Sequence, residues 1–194
     1  MIEKALTQRK ASLSVKITVK TAISAGLIAL AVILPQIAHL AVGAKAGVLL
    51  LPMYLPVLLA GCLLGPAWGL GVGMLAPVAS YLITSAFGNP MPALARLPFM
   101  VAELGVFALV SGLFTKKIEE NALAAFPAVL FAEITGRAFF LAAVAVFRKV
   151  SPFTPQMIWG QIQTGFLGLI LQAAIVPLIV IGLRKLLLKE KNAQ

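Results

Sequence analysis

Three ionisable side chains stand inside long apolar segments of the chain. Glu103 lies in the segment that follows Pro98, and Glu133 and Arg137 share the segment between residues 122 and 147. A charge at the centre of a bilayer costs about 3 kcal/mol on insertion scales, so such groups usually face the protein interior and indicate function. Glu133 and Arg137 are four residues apart and therefore share one helix face. This spacing permits either an ion pair that neutralises itself or a ligand site.

The depths of these groups in the membrane indicate which of them can meet. If the N-terminus is cytoplasmic, the helix with Arg137 runs outward and the helix with Glu103 runs inward. Arg137 then lies nearer the outside than Glu133, and Glu103 lies within about two turns of the outer surface. Arg137 can therefore approach Glu103 or a ligand held above it. A guanidinium offers a fork of donors that suits a carboxylate, a phosphate or an amide.

Further polar and aromatic side chains lie in or near the other apolar segments. Gln163 and Gln172 can each hydrogen-bond a neutral polar ligand or a neighbouring helix. Trp159 can stack on a ring or anchor the chain at the membrane surface. The same two interpretations hold for Tyr54 and Tyr81.

No pattern in the sequence indicates catalysis, a cofactor or a metal. The motifs GxSxG, HExxH and GxxxxGK[ST] are absent. The lone His39 has no ligand partner at metal spacing, and the single Cys62 excludes an internal disulfide. Transport against a gradient would therefore take its energy from a partner or an ion. An intramembrane enzyme that uses Glu103 or Glu133 as acid or base, and a structural scaffold that binds no small molecule, are the alternatives.

The composition defines the class of protein that positions these groups. Of 194 residues, 61% are hydrophobic and 11% are charged, and the mean hydropathy is +1.03. Soluble domains carry roughly 25% charged residues. The apolar runs are continuous and about 20 residues long, which indicates membrane-spanning helices and not barrel strands. Six such runs nearly exhaust the length and leave no room for a soluble domain.

The predicted organisation is a single six-helix transmembrane domain at residues 21–185. A basic cytoplasmic segment precedes it at residues 1–20, and a basic cytoplasmic tail follows at residues 186–194. No small-residue cleavage site follows the first run, so we expect no cleavable signal peptide. The fourth span is short, which indicates a helix near the membrane normal or shielded at one end. The predicted spans are residues 21–41, 47–64, 67–87, 98–114, 122–147 and 159–183.

Basic residues near the span ends give the orientation. They explain the net charge of +10 better than a nucleic-acid partner does. The bias places both termini in the cytoplasm, and the loop that contains Asn89 then faces outward, where a ligand arrives. The predicted inner side holds Lys4, Arg9, Lys10, Lys16, Lys20, Lys116, Lys117, Arg184, Lys185, Lys189 and Lys191, and the outer side holds Lys45, Arg96, Arg148 and Lys149.

Small residues at regular spacing predict close helix packing. Gly61, Gly65, Gly69 and Gly73 recur every four residues, and Gly65-Pro66 predicts a tight inner turn between the second and third spans. The first span carries a stripe of alanines. This stripe either packs against the protein's own helices or docks a separate membrane protein. Its members are Ala22, Ala25 and Ala29.

Short glycine- and proline-based motifs follow one another in a distinctive order past Lys16. They are Leu55-Pro56-Val57-Leu58-Leu59-Ala60-Gly61 with Leu64-Gly65-Pro66, Gly73-Met74-Leu75-Ala76-Pro77, Leu82-Ile83-Thr84, Asn89-Pro90-Met91-Pro92, Glu103-Leu104, Gly136-Arg137, and Gly168-Leu169-Ile170-Leu171-Gln172 with Ile175-Val176-Pro177. This order resembles the substrate-binding S components of energy-coupling factor (ECF) vitamin transporters. The similarity covers nearly the whole chain past Lys16.

The resemblance implies a six-helix S-component bundle in a prokaryotic plasma membrane, with both termini cytoplasmic. It implies a vitamin ligand near the outer face, and a B12-related precursor such as a ribazole, pantothenate and a pyridoxine-type vitamin all fit. Transport would require a transmembrane coupling protein and two cytoplasmic ATPases, and Ala25 and Ala29 match the family's Ala-xxx-Ala docking signature. The predicted docking residues are thus Ala22, Ala25 and Ala29. The predicted substrate-binding residues are Glu103, Arg137, Asn89, Gln163, Trp159, Tyr81 and Glu133.

Overall fold

The computed structural model describes residues 1–2, 6–7, 12–43, 46–149 and 153–189, and within these ranges it contains helices and no strands. Five of the basic residues used for the orientation, Lys4, Arg9, Lys10, Lys45 and Lys191, lie outside the described residues. The helices are α1 (Leu13–Val42), α2 (Ala46–Leu50), α3 (Tyr54–Leu64), α4 (Pro66–Ala86), α5 (Leu97–Leu113), α6 (Thr115–Glu120), a 3₁₀ turn (Ala122–Ala124), α7 (Ala125–Val146), α8 (Pro155–Thr164) and α9 (Phe166–Lys189).

The helices reproduce the six predicted spans, with one of them short. Five helical stretches are long and apolar enough to cross a membrane: Leu13–Ala41, Gly47–Leu64, Pro66–Ala86, Ala122–Val146 and Phe166–Leu186. The remaining crossing, the fourth along the chain, is α5, an apolar helix of 17 residues. At 1.5 Å per residue α5 is about 26 Å long, somewhat less than a hydrocarbon core of about 30 Å. The prediction of a short fourth span is therefore confirmed.

The first helix starts earlier than the sequence predicted. It begins at Leu13, and Ser12 caps it by accepting a hydrogen bond from the amide of Val15 at 3.4 Å. Lys16 and Lys20, which the prediction placed in a separate N-terminal segment, therefore belong to the first helix. A lysine near the end of a spanning helix is tolerated because its long side chain reaches the aqueous interface.

The predicted second and sixth spans are each interrupted, the second between α2 and α3 and the sixth at Gly165, between α8 and α9. Leu51, between α2 and α3, has a φ of 49°, and Pro52 follows it. The side-chain amide of Gln172 on α9 donates hydrogen bonds to the carbonyls of Leu50 and Leu51, at 3.1 and 2.8 Å. These bonds satisfy carbonyl groups that have no helical partner because the helix is interrupted there. Gln172 thus serves a neighbouring segment, one of the two roles that the sequence left open.

Close approach between backbones explains the break in the sixth crossing. Gly165 separates α8 from α9, and a Cβ at this position would lie 3.0 Å from the carbonyl oxygen of Val48. A Cβ at Gly168 would lie 2.7 Å from the carbonyl oxygen of Leu49. Only glycine allows α9 to approach α2 so closely. The two broken crossings therefore fit against each other.

Helix α5 packs against α3, α4 and α7. A Cβ at Gly73 of α4 would collide with the carbonyl oxygen of Leu104, and one at Gly61 of α3 would collide with Ser111. Gly69 lies against Gly61, where a Cβ would be 2.8 Å from the Cα atom. The glycine series therefore serves close packing, as its spacing predicted.

The inner turn between α3 and α4 is also confirmed. Gly65 ends α3 with a φ of 90°, a conformation that favours glycine, and Pro66 begins α4. A tight turn at this point holds α3 and α4 antiparallel on one side of α5.

Candidate functional site

Glu103 and Arg137 meet inside the bundle. Glu103 is completely buried on α5, and Arg137 on α7 is 5% exposed. Nη1 of Arg137 donates a hydrogen bond of 2.9 Å to Oε1 of Glu103, which also makes this an ion pair. The arginine therefore takes Glu103 as its ionic partner across two helices. The i,i+4 pairing with Glu133 that the spacing permitted is not formed among the described residues.

Tyr54 completes this polar cluster from a third helix. Its hydroxyl donates a hydrogen bond of 2.9 Å to Oε2 of Glu103. Its ring lies 4.9 Å from Cζ of Arg137, within the range of a cation–π contact. Both carboxylate oxygens of Glu103 thus have protein partners. A buried carboxylate is tolerated only when it is paired and hydrogen-bonded in this way.

Two local features of the sequence position the cluster. Tyr54 is the first residue of α3, so the break after Leu51 sets the place where its side chain enters the bundle. Gly136 precedes Arg137, and a Cβ there would collide with the ring of Phe107. Phe107 in turn packs edge-on against Tyr54, with ring centroids 4.9 Å apart. The Gly136-Arg137 motif therefore lets α7 approach α5 closely enough for the ion pair.

The cluster also contains buried polar atoms that have no hydrogen-bond partner in the structure. They are Nε and Nη2 of Arg137 and Oε1 of Glu133. Glu133 is 5% exposed and lies one turn deeper on α7 than Arg137. Leaving a buried polar group unsatisfied costs about 1–3 kcal/mol, and more for a charged one. These donors and this acceptor are consequently the groups that a small polar ligand can satisfy.

Aromatic side chains lie on the predicted outer side of the cluster. The ring of Phe99 on α5 lies between 6.1 and 6.5 Å from the rings of Phe140, Phe147 and Phe153, centroid to centroid. This layer joins the outer ends of α5 and α7 to the segment before α8.

A side-chain hydrogen bond links Arg96, directly before α5, to α8. Its Nη2 donates a hydrogen bond of 2.7 Å to Oε1 of Gln161. Arg96 is half-buried, and its Nε has no hydrogen-bond partner. The outer end of α5 is thereby fixed to α8.

The other predicted substrate residues lie apart from this cluster. Asn89, Trp159 and Gln163 are exposed, Trp159 by 56%, and Tyr81 is half-buried. The loop after Asn89 is fixed to α4, because Ser80 and Thr84 both hydrogen-bond the backbone of Met91. The structure brings Glu103 and Arg137 together and keeps these four residues outside their hydrogen-bond network.

Sequence reasoning missed two polar contacts. It left Tyr54 open between a ligand contact and an interfacial anchor, and it gave no role to Gln161. The signal for Tyr54 is its place directly after Leu51-Pro52-Met53, where a broken helix brings a side chain into the bundle. Gln161 carried no local signal, because its partner Arg96 is 65 residues away.

The alanine stripe of α1 is not covered by any helix in the described part of the chain. Ala22, Ala25 and Ala29 are all exposed, whereas Leu27 and Ala31 are buried against the bundle. A flat exposed face of small residues permits close approach of another helix. The docking role of this face stays a prediction.

Comparisons with known proteins identify the family to which the chain belongs. The family model for the ECF transporter, substrate-specific component, matches residues 19–180, which is most of the chain. The chain belongs to this family, so it is a membrane-embedded transport subunit that is not itself catalytic. Family membership implies a small-molecule substrate and an ECF module of coupling protein and ATPases. The searches of curated proteins and of solved structures found no match.

Proposed function

We propose that this S component binds a vitamin or vitamin precursor beneath its outer face and delivers it to the ECF module. The observation that carries the proposal is the state of Arg137. The residue is 5% exposed, and its guanidinium is held on one side by Glu103 and Tyr54, while Nε and Nη2 have no hydrogen-bond partner. A buried arginine that is oriented by two residues and has unpaired donors along one edge is suited to hold a polar ligand.

The site residues take different roles in this proposal. Arg137 and Glu133 contact the ligand, because their buried polar atoms are open. Glu103 and Tyr54 position Arg137, since both oxygens of Glu103 are already occupied. The remaining predicted residues lie apart from the cluster, so we assign them to the more exposed part of the ligand path: Asn89, Tyr81, Trp159 and Gln163. The ligand classes proposed are a B12-related precursor such as a ribazole, pantothenate and a pyridoxine-type vitamin.

Docking to the coupling protein is proposed for the exposed stripe of α1. The absence of any side chain larger than a methyl group at Ala22, Ala25 and Ala29 supports this role, because it permits helix backbones to come close. Gly26 extends the same open surface, since no atom of the described chain lies within 4 Å of the position that its Cβ would take. Two ATPase subunits and the coupling protein would then complete the importer.

A binding assay with the purified full-length protein tests the proposal. A ligand present at 100 times its Kd stabilises the folded state by about 2.7 kcal/mol, which a thermal shift detects. The key variant is Arg137→Lys, which keeps the positive charge beside Glu103 but loses the fork of donors. Arg148→Lys, at an exposed position, is the matched control.

We expect Arg137→Lys to weaken binding at least tenfold and Arg148→Lys to leave it unchanged. Equal binding by wild type and Arg137→Lys, with both proteins folded, would rule out the site. Capture of the ATPase subunits together with this chain tests the transport role separately from the site.

A further inference from the structure

The unpaired polar atoms of the buried cluster, together with its charges, determine whether a charged or a neutral ligand group fits there. This inference rests on the proposed function, because it concerns the ligand of the same site. The relevant atoms are the free edge of Arg137 and the free oxygen of Glu133.

The free donors of Arg137 form a complete recognition edge. In a guanidinium, the Nε–H and one Nη2–H point in the same direction and form the side edge of the fork. Nη1 is used by Glu103, at 2.9 Å, and the contact with the Tyr54 ring fixes the plane of the group. The side edge is therefore pre-oriented. It is also buried, so the packing around it must open before it can hold one acceptor group of a ligand.

An acceptor lies close to this donor edge. Glu133 precedes Arg137 by one helical turn, which is about 6 Å along the axis, and it shares the same helix face. Its Oε1 is buried and has no hydrogen-bond partner. A ligand at this point therefore meets two donors and one acceptor a few ångströms apart.

The local charge is not positive. Arg137 contributes one positive charge, and Glu103 cancels it at 2.9 Å. An ionised Glu133 makes the sum of the three groups −1, and a protonated Glu133 makes it zero. Arg96 lies seven residues toward the outer end of α5, about 10 Å along the helix axis, and its guanidinium is bonded to Gln161, so its charge reaches the edge of Arg137 only from a distance. In a low-dielectric interior, an anion would find no uncompensated positive charge in direct contact here.

We propose that the ligand is neutral where it meets Arg137 and Glu133. It presents a carbonyl or ring-nitrogen acceptor to Arg137 and a hydroxyl or N–H donor to Glu133. A hydroxylated nitrogen heterocycle or an amide has this pairing, and a bare carboxylate or phosphate does not. Among the proposed classes, this chemistry favours a pyridoxine-type vitamin or a ribazole over pantothenate, which contains an amide but also carries a carboxylate.

Matched pairs of compounds test the inference with the full-length protein in lipid nanodiscs at neutral pH. The three pairs are pyridoxine and pyridoxine 5′-phosphate, α-ribazole and its 5′-phosphate, and pantothenol and pantothenate. Within each pair one member is neutral and the other carries an added anionic group. In any pair that binds, we expect the neutral compound to bind at least tenfold more tightly than the anionic one. An anionic member that binds equally well or better overturns the inference.

A variant separates charge discrimination from a structural role. Glu103→Gln keeps the shape of the side chain and removes the charge that cancels Arg137, whether Glu133 is ionised or protonated. We expect it to lower the neutral-to-anion affinity ratio at least fivefold, whereas the exposed Glu120→Gln control leaves the ratio unchanged. An unchanged ratio in a folded Glu103→Gln protein contradicts the inference.

Capture of the ECF module and binding of the compounds can fail separately. If the chain captures the ATPase subunits but none of the six compounds binds, the neutral vitamin-type ligand is wrong and the transport role stands. If it captures no ECF module and binds none of the compounds, the proposed function fails as a whole.

Discussion

The hydroxyl of Tyr54 donates a hydrogen bond of 2.9 Å to Oε2 of Glu103, and this bond joins α3 to α5 inside the bundle. Arg137 reaches the other oxygen of the same carboxylate from α7. Three helices therefore converge on one buried carboxylate. The arrangement fixes the guanidinium of Arg137 from two sides, which makes the cluster both a structural element and the base of the proposed ligand site.

Replacing Tyr54 with phenylalanine tests the structural part of this arrangement. The variant keeps the ring beside Arg137 and Phe107 but removes the donor to Glu103, so one buried carboxylate oxygen is left unsatisfied. We expect a loss of about 1–3 kcal/mol in the free energy of unfolding. Denaturation in detergent, followed by helical signal, measures it. Tyr81→Phe, at a half-buried position outside the cluster, is the control, and equal stability of the two variants would contradict the prediction.

The ion pair between Glu103 and Arg137 gives a second prediction. Arg137→Met leaves the carboxylate of Glu103 buried without its cation, and we expect a loss of about 3–5 kcal/mol in stability. Adding Glu103→Gln removes the stranded charge, so the double variant should be more stable than Arg137→Met alone. A double-mutant cycle measures the coupling. If the two losses simply add, the residues do not act as a pair.

The membrane crossings and the approach of Arg137 to Glu103 could be predicted from the sequence. Hydropathy predicted six segments, because a helix that crosses lipid must be continuously apolar. Gly65-Pro66 predicted the inner turn, because glycine can adopt the backbone conformation that the turn requires. The approach of Arg137 to Glu103 followed from depth alone. Two antiparallel helices place residues at equal distances from the outer surface at the same level, so the opposite charges could meet.

The broken crossings could not be predicted, because distant parts of the chain produce them. The break at Leu51 is satisfied by Gln172, which is 121 residues further along. The break at Gly165 follows from the backbone of α2 lying against α9. Hydropathy is uniform across the break at Leu51, and it falls over the largely polar residues 161–164 before the break at Gly165. Neither pattern shows which distant segment fits against the break. The role of Tyr54 was missed for the same reason, since its place in the bundle depends on the break before it.

Two glycines on α4 make a matched pair for a test of packing. A Cβ at Gly73 would lie 2.9 Å from the carbonyl carbon of Leu104 on α5, a backbone atom that cannot move aside, whereas nothing lies within 4 Å of one at Gly71. We expect Gly73→Ala to lose several kcal/mol of stability and to form the Glu103–Arg137 site poorly, because α5 would be displaced. We expect Gly71→Ala to be neutral or slightly stabilising, as the helix propensity of alanine exceeds that of glycine. Thermal denaturation compares the two, and a Gly73→Ala protein as stable as Gly71→Ala would show that the helices are not in contact there.

The exposed stripe of α1 gives the last prediction, which separates ligand binding from transport. Leucines at Ala25 and Ala29 would hold an approaching helix away by the width of their side chains, while both positions point away from the bundle. We expect Ala25→Leu with Ala29→Leu to reduce uptake at least tenfold in cells that carry the ECF module, and to leave binding by the purified protein unchanged. Ala142→Leu, at an exposed alanine on α7, controls for added bulk on a lipid-facing surface. Full uptake by the double variant would assign docking to a different face. A parallel loss of binding would instead mean that α1 supports the ligand site, because its buried residues Leu27 and Ala31 belong to the same core as Tyr54.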